Sequence, residues 1–376
     1  MANPFSKIFS EGLSFFKKEK TSKSVLGIDI GSSSIKIVQL GKKDGKAILE
    51  TYGSISLGPY AKTEIGQVTN LAVPELSQAL IDVMKESNVT TNTGAIAIPA
   101  SSSLISLIPL PSGISKEKLD SIIPTEARKY IPVPISEVTL DWWMIPEQAE
   151  SFEENDAQNT NVGGEAKTEV LVVAIHNDIL VRYRDLLNRV NVASDFFEIE
   201  VFSSIRSTLS HELAPVLIID FSASKTKLSI VEYGIVRNFH VVNRGSQDIT
   251  KNISQAMSSS FSEAEKLKRE VGLDKSKNDE VAKIVESSFN YIFSETNMVV
   301  LNYEKKYNKN ISKVILSGGG ALTKGLLERA TTNFNAEVVY GDSFGKTEAP
   351  AFLESVLRTS GPEFAVAVGL ALRSLQ

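Results

Sequence analysis

The sequence contains no cysteine among its 376 residues. This absence excludes disulfides, thiolate metal sites and a cysteine nucleophile, and it is compatible with a reducing compartment. Histidine is scarce as well: His176, His211 and His240 are the three present, and their wide separation lacks the spacing of metal ligands. Long apolar runs are also missing. No stretch of about 18 uninterrupted apolar residues occurs, so the sequence predicts no transmembrane helix.

An excess of basic charge is lacking too. Lysine and arginine number 40 against 45 acidic residues, which gives a formal net charge of −5. A nucleic-acid-binding domain is normally strongly basic, so we expect no nucleic acid partner. Hydrophobic residues make up 42% and charged residues 23% of the chain, as in ordinary globular proteins, and the length predicts two or three compact units.

Residues 1–24 form a basic segment with five lysines and two glutamates, in which apolar residues recur at three- to four-residue steps. This pattern is typical of an amphipathic helix that lies on an anionic membrane surface, so we consider peripheral membrane association through residues 1–20. A tail that packs on its own domain or on a partner is the alternative. The apolar residues are too spaced to form the h-region of a signal peptide.

Two β-meanders carry the same motif at their first turn. In each, an apolar strand ends in an aspartate, Asp29 or Asp220, and a lysine follows seven residues later, at Lys36 or Lys227. Equivalent hairpins in two halves of a chain predict a duplicated α/β domain with a cleft between the copies.

The first hairpin turn has the composition of a phosphate site. Lys36, on the next strand, is placed to neutralise β-phosphate charge, and Asp29 would lie beside the phosphates, which requires a cation such as Mg²⁺ held through water. An ordinary hairpin with aspartate and serine as turn residues is the alternative. The small turn residues, whose N–H groups and hydroxyls can converge on phosphate oxygens, are Gly31, Ser32, Ser33 and Ser34.

The second hairpin and a later glycine run complete the predicted site. Asp220 would face the same cleft and hold or polarise the metal-bound water, which makes Asp29 and Asp220 the predicted Mg²⁺ residues and catalytic candidates. Glycines after the strand KVIL let an adenosine ring lie close to the backbone. The predicted cofactor-binding residues in these two elements are Ser222, Ser224, Thr226, Gly318, Gly319 and Gly320.

These three elements, in this order, resemble the signature of the actin-like ATPase superfamily. Gly245, followed by an Ile-Thr pair and a helix with Glu265 and Lys268, is similar to a stretch of the FtsA and PilM families, and in the superfamily this Glu and Lys contact ribose and adenine. Residues 126–134, EARKYIPVP, resemble the PilM family of type IV pilus assembly. The resemblance spans residues from about 25 to 376.

The resemblance implies an α/β protein of the actin-like ATPase fold, with two duplicated domains around a nucleotide cleft and an IC insertion of the FtsA and PilM type. The C-terminal helix, 361–376, would pack back onto the first domain. Independently of the resemblance, the acidic, Asn- and Gln-containing composition of residues 146–168 predicts a mobile loop between two strands. The implied segments are 25–100 and 189–214 for the first domain core (IA), 101–188 for IC, 215–247 and 308–360 for IIA, and 248–307 for IIB.

Two departures from the family pattern bear on catalysis. Ser222 and Ser246 stand where the family usually has glycine, so we expect ATP binding with at most slow hydrolysis, because hydrolysis needs tighter placement of water and phosphate. Glu198 and Glu200 fall where the superfamily has polar residues near the attacking water, which makes them catalytic candidates. Surface or helix-start carboxylates are the equal alternative for both.

The resemblance further implies a cytoplasmic, ATP-binding scaffold that works at the inner face of the cytoplasmic membrane with other pilus-assembly proteins and with possible self-association. Its partner would be the cytoplasmic N-terminal tail of a PilN-like inner-membrane protein, held in a groove between the first domain and the insertion. Two proline-containing apolar segments, Ile108–Pro111 and Ile131–Ile135, suit such a groove. An FtsA-like division filament protein and a small-molecule kinase on the same fold are the alternatives.

Overall fold

The computed structural model describes residues 24–111, 116–145, 167–210 and 212–376. The predicted N-terminal amphipathic segment and nearly all of the predicted loop at 146–168 lie outside these residues. Across the described ranges, no helix combines the length and the apolar character that a membrane span requires.

The first sheet has five strands in the order β3-β2-β1-β4-β8. Its first three strands form an antiparallel meander joined by short turns, and β4 and β8 extend the sheet in parallel from β1. Apolar residues of helices α1 (Val73–Glu86) and α3 (Asn177–Arg189) share one hydrophobic core with this sheet. The strands are β1 (Ser24–Ile30), β2 (Ser34–Lys43), β3 (Lys46–Ser56), β4 (Thr93–Ile98) and β8 (Ala193–Ile199).

The second sheet repeats this plan, with the order β11-β10-β9-β12-β13. Again an antiparallel meander comes first, and two parallel strands continue from its first strand. Four helices pack on one face: α5 (Ser246–Met257), α6 (Phe261–Val271), α7 (Asp279–Tyr307) and α8 (Leu326–Thr331). The strands are β9 (Val216–Phe221), β10 (Thr226–Glu232), β11 (Ile235–Val242), β12 (Lys313–Ser317) and β13 (Glu337–Tyr340).

A third, antiparallel sheet lies between the two sequence halves of the first. Its order is β5-β7-β6, and helix α2 (Lys116–Ala127) packs on one face through a separate small core. The other face contributes Leu171, Val173 and Ile175 to the core of the first sheet. The strands are β5 (Ser103–Pro111), β6 (Val138–Met144) and β7 (Lys167–His176).

Helix α10 (Ala365–Ser374) returns to the first sheet and packs against β1, β2, β4 and helix α4 (Glu200–Thr208); it follows α9 (Glu354–Ser360). Two glycines permit this close approach. A Cβ at Gly27 would overlap the carbonyl oxygen of Ala367, and a Cβ at Gly369 would overlap that of Ser203.

The domain limits given above stay a prediction, and each sheet draws its strands from one set of predicted segments. Helix α3 departs from this grouping, because it ends the predicted insertion and yet packs against α1 in the core of the first sheet. Helix α9, predicted for IIA, departs as well, because its Leu357 packs in one cluster with Val25 and Leu40 of the first sheet.

Candidate functional site

A cleft of about 730 Å³ opens between the first and second sheets. This volume lies in the range of about 300–1,000 Å³ that small-molecule sites occupy. Of the residues predicted for the site, all but Glu198, Thr226 and Gly245 line this cleft. Those that line it are Asp29, Gly31, Ser32, Ser33, Ser34, Lys36, Glu200, Asp220, Ser222, Ser224, Glu265, Lys268, Gly318, Gly319 and Gly320.

The first hairpin presents a compact turn to the cleft. The backbone N–H of Gly31 donates to the carbonyl oxygen of Ser34 at 3.0 Å, which closes the turn between β1 and β2. Lys36 Nζ donates to Ser34 Oγ at 3.2 Å. The ammonium group and the turn therefore lie together, where they suit an anionic group such as a phosphate.

Asp29 ends β1 beside this turn and is largely buried. Burial raises the pKa of its carboxyl from 3.8 to about 6; Glu200 and Asp220 add to this rise, while Lys36 and Lys227 oppose it. A carboxylate in this position is therefore poorly compensated by the protein's own charges.

The turn of the second hairpin closes in the same way, but its lysine forms ion pairs where Lys36 contacts a serine. The backbone N–H of Ser222 donates to the carbonyl oxygen of Lys225 at 3.1 Å. Lys227 Nζ lies 2.8 Å from Asp220 Oδ2 and 2.6 Å from Glu200 Oε2. Burial alone would lower the pKa of Lys227, but the two carboxylates outweigh it and raise that pKa, so the ammonium group stays charged.

Glu200 is the first residue of α4, and its side chain lines the cleft. Its Oε2 accepts from Lys227 Nζ, and its Oε1 accepts from the backbone N–H of Ala100 at 2.7 Å. The carboxylate thus ties the second hairpin to the loop after β4. Its predicted role near an attacking water stays a prediction.

Glu198, the other predicted catalytic glutamate, lies outside the cleft lining. It is 3% exposed, accepts from Ser203 Oγ at 2.5 Å, and forms ion pairs with Arg206 and Arg373. Burial alone would raise its pKa, but the two arginines and Ser203 hold that pKa below the ordinary value. The carboxylate therefore anchors α4 and α10, away from the cleft.

Thr226 and Gly245 also lie behind the cleft wall. Side chains alternate along β10, so Lys227 faces the cleft while Thr226 is fully buried and donates its hydroxyl to the carbonyl oxygen of Arg244. A Cβ at Gly245 would overlap the carbonyl oxygen of Ala223, so this glycine permits α5 to begin directly beneath the second turn.

The glycine run after β12 borders the second hairpin closely. Gly318 has φ of +80°, and a Cβ there would overlap Asp220 Oδ1. Its N–H donates to the carbonyl oxygen of Pro362 at 2.8 Å. Gly319 and Gly320 continue the wall as a short 3₁₀ turn, which leaves the backbone open to a flat ligand.

Glu265 and Lys268 lie on one face of α6, three residues apart, and form an ion pair of 2.6 Å. Thr250 donates to Glu265 Oε2 at 2.6 Å and accepts from Lys268 Nζ at 2.8 Å. Burial alone would raise the pKa of Glu265, but Lys268 and Thr250 hold it below the ordinary value. The pair is a charged, preorganised end of the cleft.

Sequence reasoning did not assign several lining residues to the site. Lys227 carried a signal, because its register opposite Asp220 repeats that of Lys36 opposite Asp29. Lys225 also had a sequence signal, because it belongs to the second turn. Arg182 and Tyr183 line the cleft from α3 and had none, because no motif marks that helix.

The geometry fits a nucleotide better than a metal ion. Two tight turns and the glycine run border the cleft with backbone and small side chains. Within the described residues, no group of three or more His, Cys, Asp or Glu side chains converges to hold a metal. At Asp220, Oδ1 accepts from Ser222 Oγ and Oδ2 from Lys227. The Lys227 ammonium group also contacts Glu200, so the predicted Mg²⁺ does not fit between these two acids as they stand.

The family model of the type IV pilus assembly protein PilM matches residues 27–375. The chain belongs to the PilM family. Among solved structures, the PilM–PilN type IV pilus biogenesis complex matches with a TM-score of 0.77 and 20% identity, over 94% of this chain and 98% of that chain.

Two further structures share the fold. The ethanolamine utilization protein EutJ of Carboxydothermus hydrogenoformans has a TM-score of 0.53 and 13% identity, over 94% of this chain and 90% of that chain. MreB 5 of Spiroplasma citri bound to AMPPNP has a TM-score of 0.52 and 11% identity, over 94% and 97%. The predicted actin-like ATPase fold is confirmed, and the PilM match does not favour the FtsA-like or kinase alternatives.

Proposed function

We propose that this PilM-family chain is an ATP-binding scaffold of type IV pilus assembly, which docks the cytoplasmic N-terminal tail of a PilN-like membrane protein. The observation that carries the proposal is the family match over residues 27–375. The likeness to a PilM structure solved with PilN supports it. The chain would work at the inner face of the cytoplasmic membrane because its partner is anchored there.

In this proposal ATP lies between the two hairpins. The turns at Gly31 and Ser222 receive the phosphates, the run that begins at Gly318 borders the adenosine, and Glu265 and Lys268 bind ribose and adenine. The cleft volume and the nucleotide-bound relative of the same fold support this arrangement. Turnover would be slow, because Glu200, the lining acid predicted to lie near the attacking water, already pairs with Lys227.

The tail would dock on the third sheet. Within the described residues β6 is an edge strand of that sheet. Beside it, Val133 and Ile135 are partly buried against the small core under α2. An edge strand next to partly covered apolar side chains suits an extended peptide, by strand addition or by pocket filling.

A fluorescent peptide with the sequence of the tail tests the docking site. Deleting 101–188 is a poor test, because it removes α3, whose Arg182 and Tyr183 line the cleft. We instead expect Ile135→Asp to weaken peptide binding at least about tenfold, which is about 1.4 kcal/mol. The matched control is Val181→Asp, at an exposed aliphatic position on α3.

ATP binding by calorimetry serves as the folding control for both variants. Equal peptide affinity in the wild type and in folded Ile135→Asp would move the docking site elsewhere. If the wild-type protein binds no tail peptide at all, the proposal of a PilN-like partner is wrong.

A further inference from the structure

The second hairpin of the cleft contains a carboxylate pair whose four oxygens all accept hydrogen bonds. Asp220 accepts from Ser222 Oγ at 3.1 Å and from Lys227 Nζ at 2.8 Å. Glu200 accepts from the backbone N–H of Ala100 at 2.7 Å and from Lys227 Nζ at 2.6 Å. A divalent metal between the two acids would have to displace Lys227, whose ammonium group already contacts both of them.

Lys227 lies between these two acids as a metal ion would. All three side chains are at least 85% covered, with exposed fractions of 13% for Lys227, 12% for Glu200 and 15% for Asp220. Carboxylates this deep need a compensating positive charge. One ammonium group contacts both and offsets one of their two negative charges.

We propose that Lys227 is a built-in cation of the cleft, which excludes divalent metal from Asp220 and lets the second hairpin receive nucleotide phosphates without one. The part that concerns phosphates rests on the proposed ATP function. The exclusion of metal from Asp220 rests on the contacts of Lys227 alone.

Comparison with the first hairpin indicates that this role is specific to Lys227. Lys36 occupies the same register opposite Asp29, but it donates to Ser34 Oγ instead of bridging two acids. Lys36 is thus placed to meet a phosphate, while Lys227 is held between carboxylates on both sides of the cleft. Two lysines in equivalent positions have taken different partners.

The first test compares ATP affinity by calorimetry in Mg²⁺ and in EDTA. We expect the wild-type affinity to change by less than about threefold between the two buffers, and Lys227→Gln to become dependent on Mg²⁺ by about tenfold or more. Lys251→Gln is the matched control, because it removes the same charge from an exposed position on α5 outside the cleft lining. It should keep the metal independence of the wild type.

The second test uses metal alone and no nucleotide. Titration of Mn²⁺ followed by electron paramagnetic resonance should find no saturable site at Asp220 in the wild type. Lys227→Gln should gain one, and the added substitution Asp220→Asn should abolish it.

Wild-type ATP binding that needs Mg²⁺ as strongly as Lys227→Gln does would overturn the proposal, as would a wild-type Mn²⁺ site that Asp220→Asn removes. If the wild type binds ATP in neither buffer, the ATP function fails, and the Mn²⁺ titration still decides the role of Lys227. If Lys227→Gln does not fold, the comparison of wild type with Asp220→Asn decides it.

Discussion

The two hairpins of the cleft have the same backbone plan but pair their charged side chains differently. Each pairs an aspartate with a lysine across two antiparallel strands, and each closes its turn with one N–H to carbonyl bond of about the same length, 3.0 and 3.1 Å. In the second hairpin Lys227 contacts Asp220 and Glu200. In the first, none of the described lysines or arginines bridges Asp29 to a second acid in this way, and burial raises its pKa. A duplicated backbone therefore does not duplicate its charge state.

We expect the largest effect on stability from removing Lys227, which bridges Asp220 and Glu200. Lys227→Met should lower the free energy of unfolding by about 3–5 kcal/mol at neutral pH, because it leaves two buried carboxylates facing each other. Lys36→Met, at the equivalent position, should cost much less. Urea titration of both variants checks this, and similar losses for both lysines would remove the contrast between the hairpins.

The two aspartates should respond to neutralisation with opposite signs. A pKa raised from 3.8 to about 6 in the folded state means that protonated Asp29 favours folding, and this contribution is lost as the pH rises from about 4 through 6. At about 1.4 kcal/mol per pKa unit, the wild type should lose about 3 kcal/mol relative to Asp29→Asn over that window.

Asp220→Asn should instead destabilise the protein at neutral pH, since it takes a partner from Lys227. Chemical denaturation of both variants at several pH values between 4 and 8 measures the two effects. A flat difference between wild type and Asp29→Asn across this range would contradict the assignment to Asp29.

Gly318 distinguishes the two hairpins further, because it lies against Asp220 of the second hairpin. Gly318 and Gly45 both have φ of +80°, but a Cβ at Gly45 meets nothing within 4 Å, whereas one at Gly318 overlaps Asp220. We expect Gly45→Ala to cost about 1 kcal/mol from backbone strain alone. Gly318→Ala should cost at least about 1 kcal/mol more from overpacking and should weaken nucleotide binding. Thermal unfolding of the two variants separates strain from crowding.

The smallest effect is expected at the first residue of each turn. Ser222 closes its turn as Gly31 does, so Ser222→Gly should change nucleotide affinity by less than about threefold. Gly31→Ser should be slightly worse, because its Cβ would lie 3.1 Å from the carbonyl oxygen of Ser34. Calorimetry with both variants tests this, and a large gain from Ser222→Gly would show that the serine loosens the phosphate site.

Much of this cleft could be predicted from the sequence, because strand ends and turns are local. The repeat of Asp29 and Asp220 located both hairpins. The pairing of Lys227 with Glu200 was not predictable, since Glu200 comes from helix α4, which packs with the other half of the molecule.

The two glutamates at 198 and 200 illustrate the same limit. Both would share a face if β8 continued, but the strand ends at Ile199 and α4 begins at Glu200. The change of direction sends Glu200 into the cleft, and Arg206 and Arg373 hold Glu198 on the other side. Sequence spacing alone does not reveal where a strand stops within one residue.

The return of helix α10 to β1 sets the order in which the polypeptide matures during synthesis. Lys42 donates to the carbonyl oxygen of Leu375 across 333 positions of sequence, and at about 5–20 residues per second a ribosome needs roughly 15–70 s to make the intervening chain. The apolar face of β1 that Ala367 and Ala371 cover is therefore bare while the whole second sheet emerges. Nascent chains stalled before α10 should recruit chaperones at that face, and a circular permutant that begins with 361–376 should release them earlier.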